Sequence, residues 1–215
     1  MQENDIDTND TYDFSITGLL KEAFARTDGV KGYFAGAMVI YVVIAFITNS
    51  LLEVVFPQEG SKINTLVSSL LSMPITLPIL IGITFLGIKQ ARNQEIQITS
   101  IFDYFSFLLP IILAYLATTA LIAFGFVLLI IPGIYLAISY TFVYPLVVEK
   151  GLGTWEAMEL SRKTITKQWF KFFGLALVTG VILLISIIPL GVGLIWSVPM
   201  IYISYGLLYS HLFDA

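Results

Sequence analysis

The residues that could perform chemistry are few and widely separated along this chain of 215 residues. There is no cysteine and only one histidine, His211, which excludes thiolate ligands, cysteine nucleophiles and multi-histidine metal or haem sites. A Ser-His-Asp hydrolase would have to use this histidine, although it lies almost at the C-terminus. The apolar segments hold no pair of carboxylates for general acid–base catalysis. We therefore expect neither enzymatic activity nor a cofactor, and we assign no catalytic or metal-binding residue.

Most charged residues flank the apolar segments. Glu53 comes closest to membrane depth, but it stands near the end of its segment, where a carboxylate can reach water. We interpret it as a residue that extends to the interface and not as an ion-coupling group. The other acidic residues near apolar segments are interpreted as partners in surface ion pairs, Glu149 with Lys150 and Glu156 or Glu159 with Arg162.

The composition indicates an integral membrane protein. Hydrophobic residues make up 57% of the chain and charged residues 12%, with a mean hydropathy of +0.88. A soluble domain of this size could not cover so much apolar surface. The net charge of -4 is unevenly distributed, because five of the fifteen acidic residues occur within the first thirteen positions. We predict a disordered acidic tail over residues 1–13 and, since no cleavable signal follows it, an N-terminus that stays on the side where it is made.

Six apolar segments are expected to cross the membrane, at residues 33–56, 66–88, 107–131, 134–148, 172–190 and 194–213. A spanning helix needs about 20 residues. The fourth segment is shorter, so it either begins within the preceding turn at Pro132-Gly133 or is tilted in a thinned bilayer. The second segment contains Pro74 and Pro78, each of which removes a helix hydrogen bond, and this predicts a kinked or locally unwound helix.

A short amphipathic segment precedes each pair of spans, at residues 15–27, 98–105 and 154–171. In the second of these, Ile98, Ile101, Phe102 and Phe105 have the spacing of one helical face. The predicted fold is therefore an all-α, polytopic bundle of six transmembrane helices in three hairpins, each preceded by a cytoplasmic interfacial amphipathic helix. Residues 14–215 form one membrane domain, within which residues 14–88, 98–148 and 154–213 are interpreted as three repeats.

The basic residues predict the orientation. In the six-span topology, Lys62 alone lies on the side of the first, third and fifth connections, and the other ten of the eleven basic residues lie on the side of the termini. By the positive-inside rule, both termini are cytoplasmic.

The second half of the chain resembles a known family. The resemblance rests on Ile131-Pro-Gly-Ile-Tyr-Leu-Ala-Ile-Ser-Tyr140, Pro145-Leu-Val-Val-Glu149, Gly151-Leu-Gly-Thr-Trp-Glu-Ala157, Ser161-Arg162 and Trp169-Phe-Lys-Phe-Phe-Gly174. These stretches are similar to a large group of bacterial and archaeal integral membrane proteins, which includes the YciC-like proteins and the membrane domain attached to some glycerophosphodiester phosphodiesterases. The resemblance implies a multi-pass protein of the prokaryotic cytoplasmic (inner) membrane, with a link to phospholipid metabolism or envelope homeostasis. The catalytic domain of the fused relatives is absent, so no catalytic residue is carried over.

Two groups of residues are predicted to carry function. The third amphipathic segment combines basic and aromatic residues suited to head groups or a protein partner, namely Trp155, Arg162, Lys163, Lys167, Trp169 and Lys171. An intramembrane polar or kinked site is predicted from Pro74, Pro78, Tyr140, Tyr144, Tyr202 and Tyr205, although tyrosines also simply join packed helices.

Three functions remain open from the sequence. The first is a non-enzymatic protein that binds or organises membrane lipid or a protein partner. The second is a small facilitator or lipid transporter, and the third is an accessory subunit of a larger membrane complex. The expected partners are membrane phospholipid and a second protein or another copy of this chain, with no nucleic acid.

Overall fold

The computed structural model describes residues 13–57 and 62–214. Within these ranges the chain is helical throughout, with no strand. The predicted acidic tail lies outside the described residues except for its last member, Asp13. The all-α prediction is therefore confirmed for the part of the chain that the structure describes.

Nine α-helices and one 3₁₀ helix make up the described chain. The elements in order are α1 (Ile16–Ala25), α2 (Lys31–Val55), α3 (Lys62–Ala91), the 3₁₀ helix (Ile98–Phe107), α4 (Leu108–Leu128), α5 (Ile130–Ser139), α6 (Val143–Glu149), α7 (Thr154–Thr166), α8 (Trp169–Ile187) and α9 (Leu194–Phe213). Short helices thus lie in the first and third predicted amphipathic segments, as α1 and α7. Their polar character agrees with the sequence pattern.

Within the described ranges, five helical segments are long and apolar enough to cross a membrane, one fewer than the six predicted. They are α2, α3, the 3₁₀ helix with α4, α5 with α6, and α8. The 20-residue α9 is not among them, because it contains tyrosine and serine residues and His211 among its aliphatic side chains.

The connection between α4 and α5 differs from the predicted Pro132-Gly133 turn. The chain reverses at Leu129, which is extended with φ -161° and ψ 152°. Pro132 lies in the first turn of α5, where a missing backbone N–H has no consequence for the helix. Gly133 packs against α4, and a Cβ at this position would lie 2.4 Å from the Phe126 ring. The glycine therefore allows the two helices to approach closely and does not form the turn.

The second amphipathic segment also differs from the prediction, because it is a 3₁₀ helix. With three residues per turn, side chains at intervals of three lie on one face. Ile101 and Tyr104 are accordingly buried, whereas Phe102 and Phe105 are exposed. The predicted face assumed the α-helical period, whereas the 3₁₀ helix buries only part of it in the bundle and leaves these two phenylalanines on the surface. The buried face packs on α3, where the Tyr104 and Phe85 rings stack at 4.6 Å.

The core follows one burial pattern in three places. The same order of buried and half-buried positions occurs in three runs of seven residues, 82–88, 142–148 and 203–209, which lie in or next to α3, α6 and α9. In each run only the third residue is half-buried, and these residues are Thr84, Tyr144 and Tyr205. A second set of buried side chains recurs with constant spacing: Leu19, Ala23, Thr27, Phe34 and Ala37; Ile96, Ser100, Tyr104, Ile111 and Ala114; Ala157, Ser161, Ile165, Phe172 and Leu175. Beyond these positions α2 and α8 bury little.

The contacts between helices follow a cyclic order. The 3₁₀ helix packs on α3, α7 packs on α5 and α6, and α1 packs on α9. In the same order, α4 contacts α3, α8 contacts α5, and α2 contacts α9. The closest crossing joins α3 and α9, where a Cβ on Gly206 would lie 2.5 Å from the carbonyl oxygen of Gly87. Only glycine allows this backbone approach at these two positions.

Candidate functional site

The basic and aromatic surface predicted from the sequence is built on α7 and the start of α8. One face of α7 is buried in the bundle through Ala157, Met158, Ser161 and Ile165. The opposite face carries Lys163, whose side chain is 67% exposed, and Lys167, which is also exposed. Trp155 is 71% exposed, so it projects from the bundle instead of joining the buried face.

Arg162 and Lys163 share one acidic partner on α7. Arg162 donates hydrogen bonds from Nε and Nη2 to the two carboxylate oxygens of Glu159, at 2.9 and 2.8 Å. Lys163 Nζ lies 3.4 Å from the same carboxylate. The Arg162 hydrogen bonds lower the pKa of the Glu159 carboxyl below its ordinary value and raise the pKa of the Arg162 guanidinium. The predicted Glu159–Arg162 pair is present, and Arg162 is the more engaged of the two cations.

Trp169 anchors the junction between α7 and α8. Its Nε1 donates a hydrogen bond to the backbone carbonyl of Tyr135 at 3.3 Å, and its ring stacks on Tyr135 and Phe173. The neighbouring Phe170 is 84% exposed. The structure therefore gives Trp169 a packing role and presents Phe170, which the sequence interpretation did not select, to the surroundings.

Lys171 is paired with the beginning of the described chain. Its Nζ forms an ion pair with Asp13 and lies 5.9 Å from the Phe14 ring centroid. Phe14 in turn packs edge-on against Phe172. Among the predicted contact residues, Lys163 and Lys167 with Trp155 thus remain the most accessible, and Lys171 is engaged by the N-terminal segment.

Helix α7 is also hydrogen-bonded to the backbone at the interruption between α5 and α6. Between α5 and α6 the helix is interrupted, which frees backbone groups from the helical ladder. The fully buried Ser161 Oγ donates to the carbonyl of Ser139 at 2.7 Å and accepts from the N–H of Phe142 at 3.3 Å. One hydroxyl therefore satisfies both sides of the break. The sequence signal for this break is Pro145 in the first turn of α6, because its ring removes a backbone N–H and clashes with the carbonyl four residues earlier, at Thr141.

The residues of the predicted intramembrane site have contacts in separate parts of the bundle. Tyr144 Oη lies 3.4 Å from Thr118 Oγ1 of α4, and the Tyr202 ring stacks on Phe34 of α2 at 6.2 Å. Tyr205 interacts with Thr179 of α8. Tyr140 is buried next to the α5–α6 break.

Helix α3 continues through Pro74 and Pro78 without local unwinding. The hydroxyl of Thr76 donates to the Ser72 carbonyl at 3.0 Å, one turn earlier in the same helix. The broken segment of the described chain is instead α5–α6, which contains neither of these prolines.

A charged cluster that the sequence interpretation missed joins the ends of α3, α6 and α9. Arg92 Nη1 and Nη2 donate to Glu149 at 2.5 and 3.1 Å, and Nε and Nη2 donate to Asp214 at 2.7 and 2.6 Å. The guanidinium also lies 5.8 Å from the Tyr209 ring centroid. Glu149 thus pairs with Arg92 and not with Lys150, because the guanidinium fork matches two carboxylates at once. The hydrogen bond to Glu149 raises the pKa of Arg92.

This cluster, Arg92 with Glu149 and Asp214, is named the three-helix clasp below. Its partners are 57 and 122 residues from Arg92 in sequence. A periodicity search cannot connect positions so far apart. Their placement at three helix ends was the one signal available.

Among the described residues, no group of three His, Cys, Asp or Glu side chains could hold a metal ion. Comparisons with family models, curated proteins and solved structures found no match for this chain.

Proposed function

We propose that this chain is a non-enzymatic integral membrane protein that binds or organises anionic phospholipid through the α7–α8 surface. One observation carries the proposal: α7 is anchored in the bundle by its buried face, while Lys163, Lys167 and Trp155 extend from its other side. Basic and aromatic side chains together suit the head-group region, where lysine neutralises phosphate and tryptophan enters the interface. The Glu159 carboxylate reduces the net charge of this surface but leaves Lys163 mostly exposed.

We also propose that the protein crosses the membrane six times, as three hairpins. The three-helix clasp supports this topology because it brings the ends of α3, α6 and α9 together. Only residues 188–193 connect α8 to α9, and α9 packs back against α8, as the two helices of a hairpin do. The same end carries most of the basic residues, which favours a cytoplasmic location for this end and for both termini. We also keep as proposals that the protein lies in the inner membrane of a prokaryote and that it is related to the family named in the sequence analysis.

The threefold repeat is proposed on the same basis. Its support is the recurrence of one burial pattern at constant spacing and the cyclic order in which each amphipathic helix packs on the preceding helix pair. An uneven number of hairpins entering from one side is a parallel repeat, unlike the inverted repeats of many transporters.

The test measures lipid binding after neutralisation of α7. The Lys163→Gln/Lys167→Gln variant and the wild type would be purified in mild detergent and titrated with fluorescent phosphatidylglycerol. Each lysine near an anionic surface contributes about 1 kcal/mol, so the double variant should bind about thirtyfold more weakly. The Lys21→Gln/Lys150→Gln variant, which also removes two exposed lysines but leaves the α7–α8 surface unchanged, is the control with a matched change of charge. Equal affinity in the double variant and the control would refute the proposed surface.

A further inference from the structure

A separate apolar groove lies between α2 and α9. It has a volume of about 320 Å³ and is lined by one side of α2, from Phe34 to Val43, and by the beginning of α9, from Leu194 to Pro199. Every lining side chain is apolar. This volume is at the lower end of the roughly 300–1,000 Å³ typical of small-molecule sites. The groove therefore has room for part of an alkyl chain and offers no hydrogen-bonding group to a polar ligand.

A cation and an indole ring stand beside this groove. Lys31 begins α2, one turn before Phe34, and its Nζ lies 5.6 Å from the Trp196 ring centroid. Trp196 directly follows Ile195 of the groove lining. Lys31 pairs with Asp28 at 2.6 Å, and its side chain is 28% exposed, so part of the ammonium stays open to a second anionic group. The arrangement combines an apolar channel with a positive charge close to it.

Helix α2 is also the least buried of the five candidate spans. Its buried residues are Phe34 and Ala37 only, both near its beginning. In lipid, helices associate through packing and hydrogen bonds because the surrounding chains are themselves apolar. An alkyl chain in the groove would fill the space between α2 and α9 and add packing contacts where α2 makes few.

We propose that this groove binds one membrane phospholipid, with an acyl chain between α2 and α9 and the phosphate held by Lys31 beside Trp196. The proposal rests on the membrane placement proposed above, but it concerns a site distinct from the α7–α8 surface. The acyl chain accounts for the wholly apolar lining, and the phosphate accounts for the adjacent cation. A helix from a second copy of the chain would satisfy the lining as well, so the test below also separates this occupant from a lipid.

The test compares groove filling at two equivalent positions. Val39 is the ninth residue of α2 and lines the groove, whereas Leu177 is the ninth residue of α8 and does not; their side chains are 62% and 54% exposed. Wild type, Val39→Trp and Leu177→Trp would be equilibrated with phosphatidylglycerol in mild detergent, and native mass spectrometry would count the lipids retained. Val39→Trp should retain one lipid fewer than wild type, and Leu177→Trp should retain the wild-type number.

Two further variants make the outcome decisive. Lys31→Gln should weaken retention of the groove lipid about fivefold. Ala35→Leu, a smaller filling change, repeats the Val39→Trp test if tryptophan disturbs folding, which the thermal unfolding curve would reveal. Equal retention in the groove variants and Leu177→Trp overturns the proposal, and so does a dimer that the groove variants abolish. Lys163→Gln/Lys167→Gln should keep the groove lipid, so failure of the α7–α8 surface is distinguishable from failure of the groove.

Discussion

Replacement of Arg92 by methionine should destabilise the protein by loosening three helix ends at once. The guanidinium is 19% exposed and donates four hydrogen bonds to Glu149 and Asp214, whose side chains are 26% and 33% exposed. Methionine keeps an unbranched apolar stem but removes every donor. The two carboxylates would then face each other without a cation in a partly desolvated place.

The magnitude follows from this intermediate burial. Exposed ion pairs contribute about 0–1 kcal/mol, and the loss of one partner from a buried pair costs about 3–5 kcal/mol. For Arg92→Met we expect a loss of about 2–3 kcal/mol, which corresponds to a decrease in Tm of roughly 5–10 °C for a chain of this size. The assay is denaturation in mild detergent, followed by the fluorescence of the three tryptophans.

The control is Lys89→Met, one turn earlier on α3, at a cation that takes part in no ion pair among residues 13–57 and 62–214. A double-mutant cycle with Glu149→Gln isolates the interaction itself. The double variant should lose less stability than the sum of the single variants, because neutral Glu149→Gln no longer repels Asp214. If Arg92→Met unfolds at the same temperature as Lys89→Met, the clasp does not hold the helix ends together.

Three further predictions concern single contacts. Ser161→Ala should lower the free energy of unfolding by about 1–3 kcal/mol, because the Ser139 carbonyl and the Phe142 N–H at the α5–α6 break both lose their partner. The control is Ser72→Ala, whose hydroxyl bonds only within α3 and which should change stability little in the same denaturation assay. Gly206→Ala should destabilise the protein by about 1–3 kcal/mol, because the added Cβ collides with the α3 backbone. Gly180→Ala, with no atom within 4 Å, should be neutral or stabilising by up to about 1 kcal/mol. In a calorimetric comparison of the pair, only Gly206→Ala should lower the unfolding temperature. Glu159→Gln should lower the free energy of unfolding by a few tenths of a kcal/mol at neutral pH. Because the pKa of Glu159 is lowered in the folded protein, the difference in stability between the variant and the wild type should disappear as pH falls through that pKa. Denaturation curves of both proteins between neutral and acidic pH test this.

Composition and periodicity predict much of this fold. The apolar segment at residues 33–56 corresponds to α2 at Lys31–Val55, and that at 172–190 corresponds to α8 at Trp169–Ile187. These helices are recoverable because each presents an almost continuous apolar run bounded by charged or aromatic residues. Tertiary packing shifts the ends by a few residues but does not change the type of element.

The irregular elements were not predictable in the same way. The 3₁₀ helix differs from an α-helix by the position of its hydrogen bonds, and its apolar residues fit either period over ten positions. The α5–α6 break directly precedes Pro145, and its free backbone groups are satisfied by Ser161, which lies about twenty residues later in the chain. A local window contains the proline but not Ser161, the partner that satisfies the freed backbone groups.

The candidate surface was predictable in composition but not in accessibility. Basic and aromatic residues cluster visibly around α7, yet only the structure separates Trp169, which packs on Tyr135, from its exposed neighbour Phe170. Arg162 is likewise paired with Glu159 at 2.8 Å, whereas Lys163 lies 3.4 Å from the same carboxylate and is 67% exposed, so Lys163 is the more accessible of the two cations. Local charge pairing thus decides which members of a basic cluster can meet a ligand.

The proposed repeat explains why its copies are difficult to recognise in the sequence. Each helix pair has one tyrosine and one threonine at corresponding positions. In the first pair the tyrosine is on the first helix, as Tyr41 with Thr84, whereas in the other two pairs the threonine is on the first helix, as Thr118 with Tyr144 and Thr179 with Tyr205. In the second and third pairs these side chains interact across the pair. A tyrosine opposite a threonine fills similar space whichever helix carries it, so packing is conserved while the residues at aligned positions differ. Under this proposal the three copies share burial and volume more closely than residue identity, which is the expected outcome when packing alone constrains most of an apolar bundle.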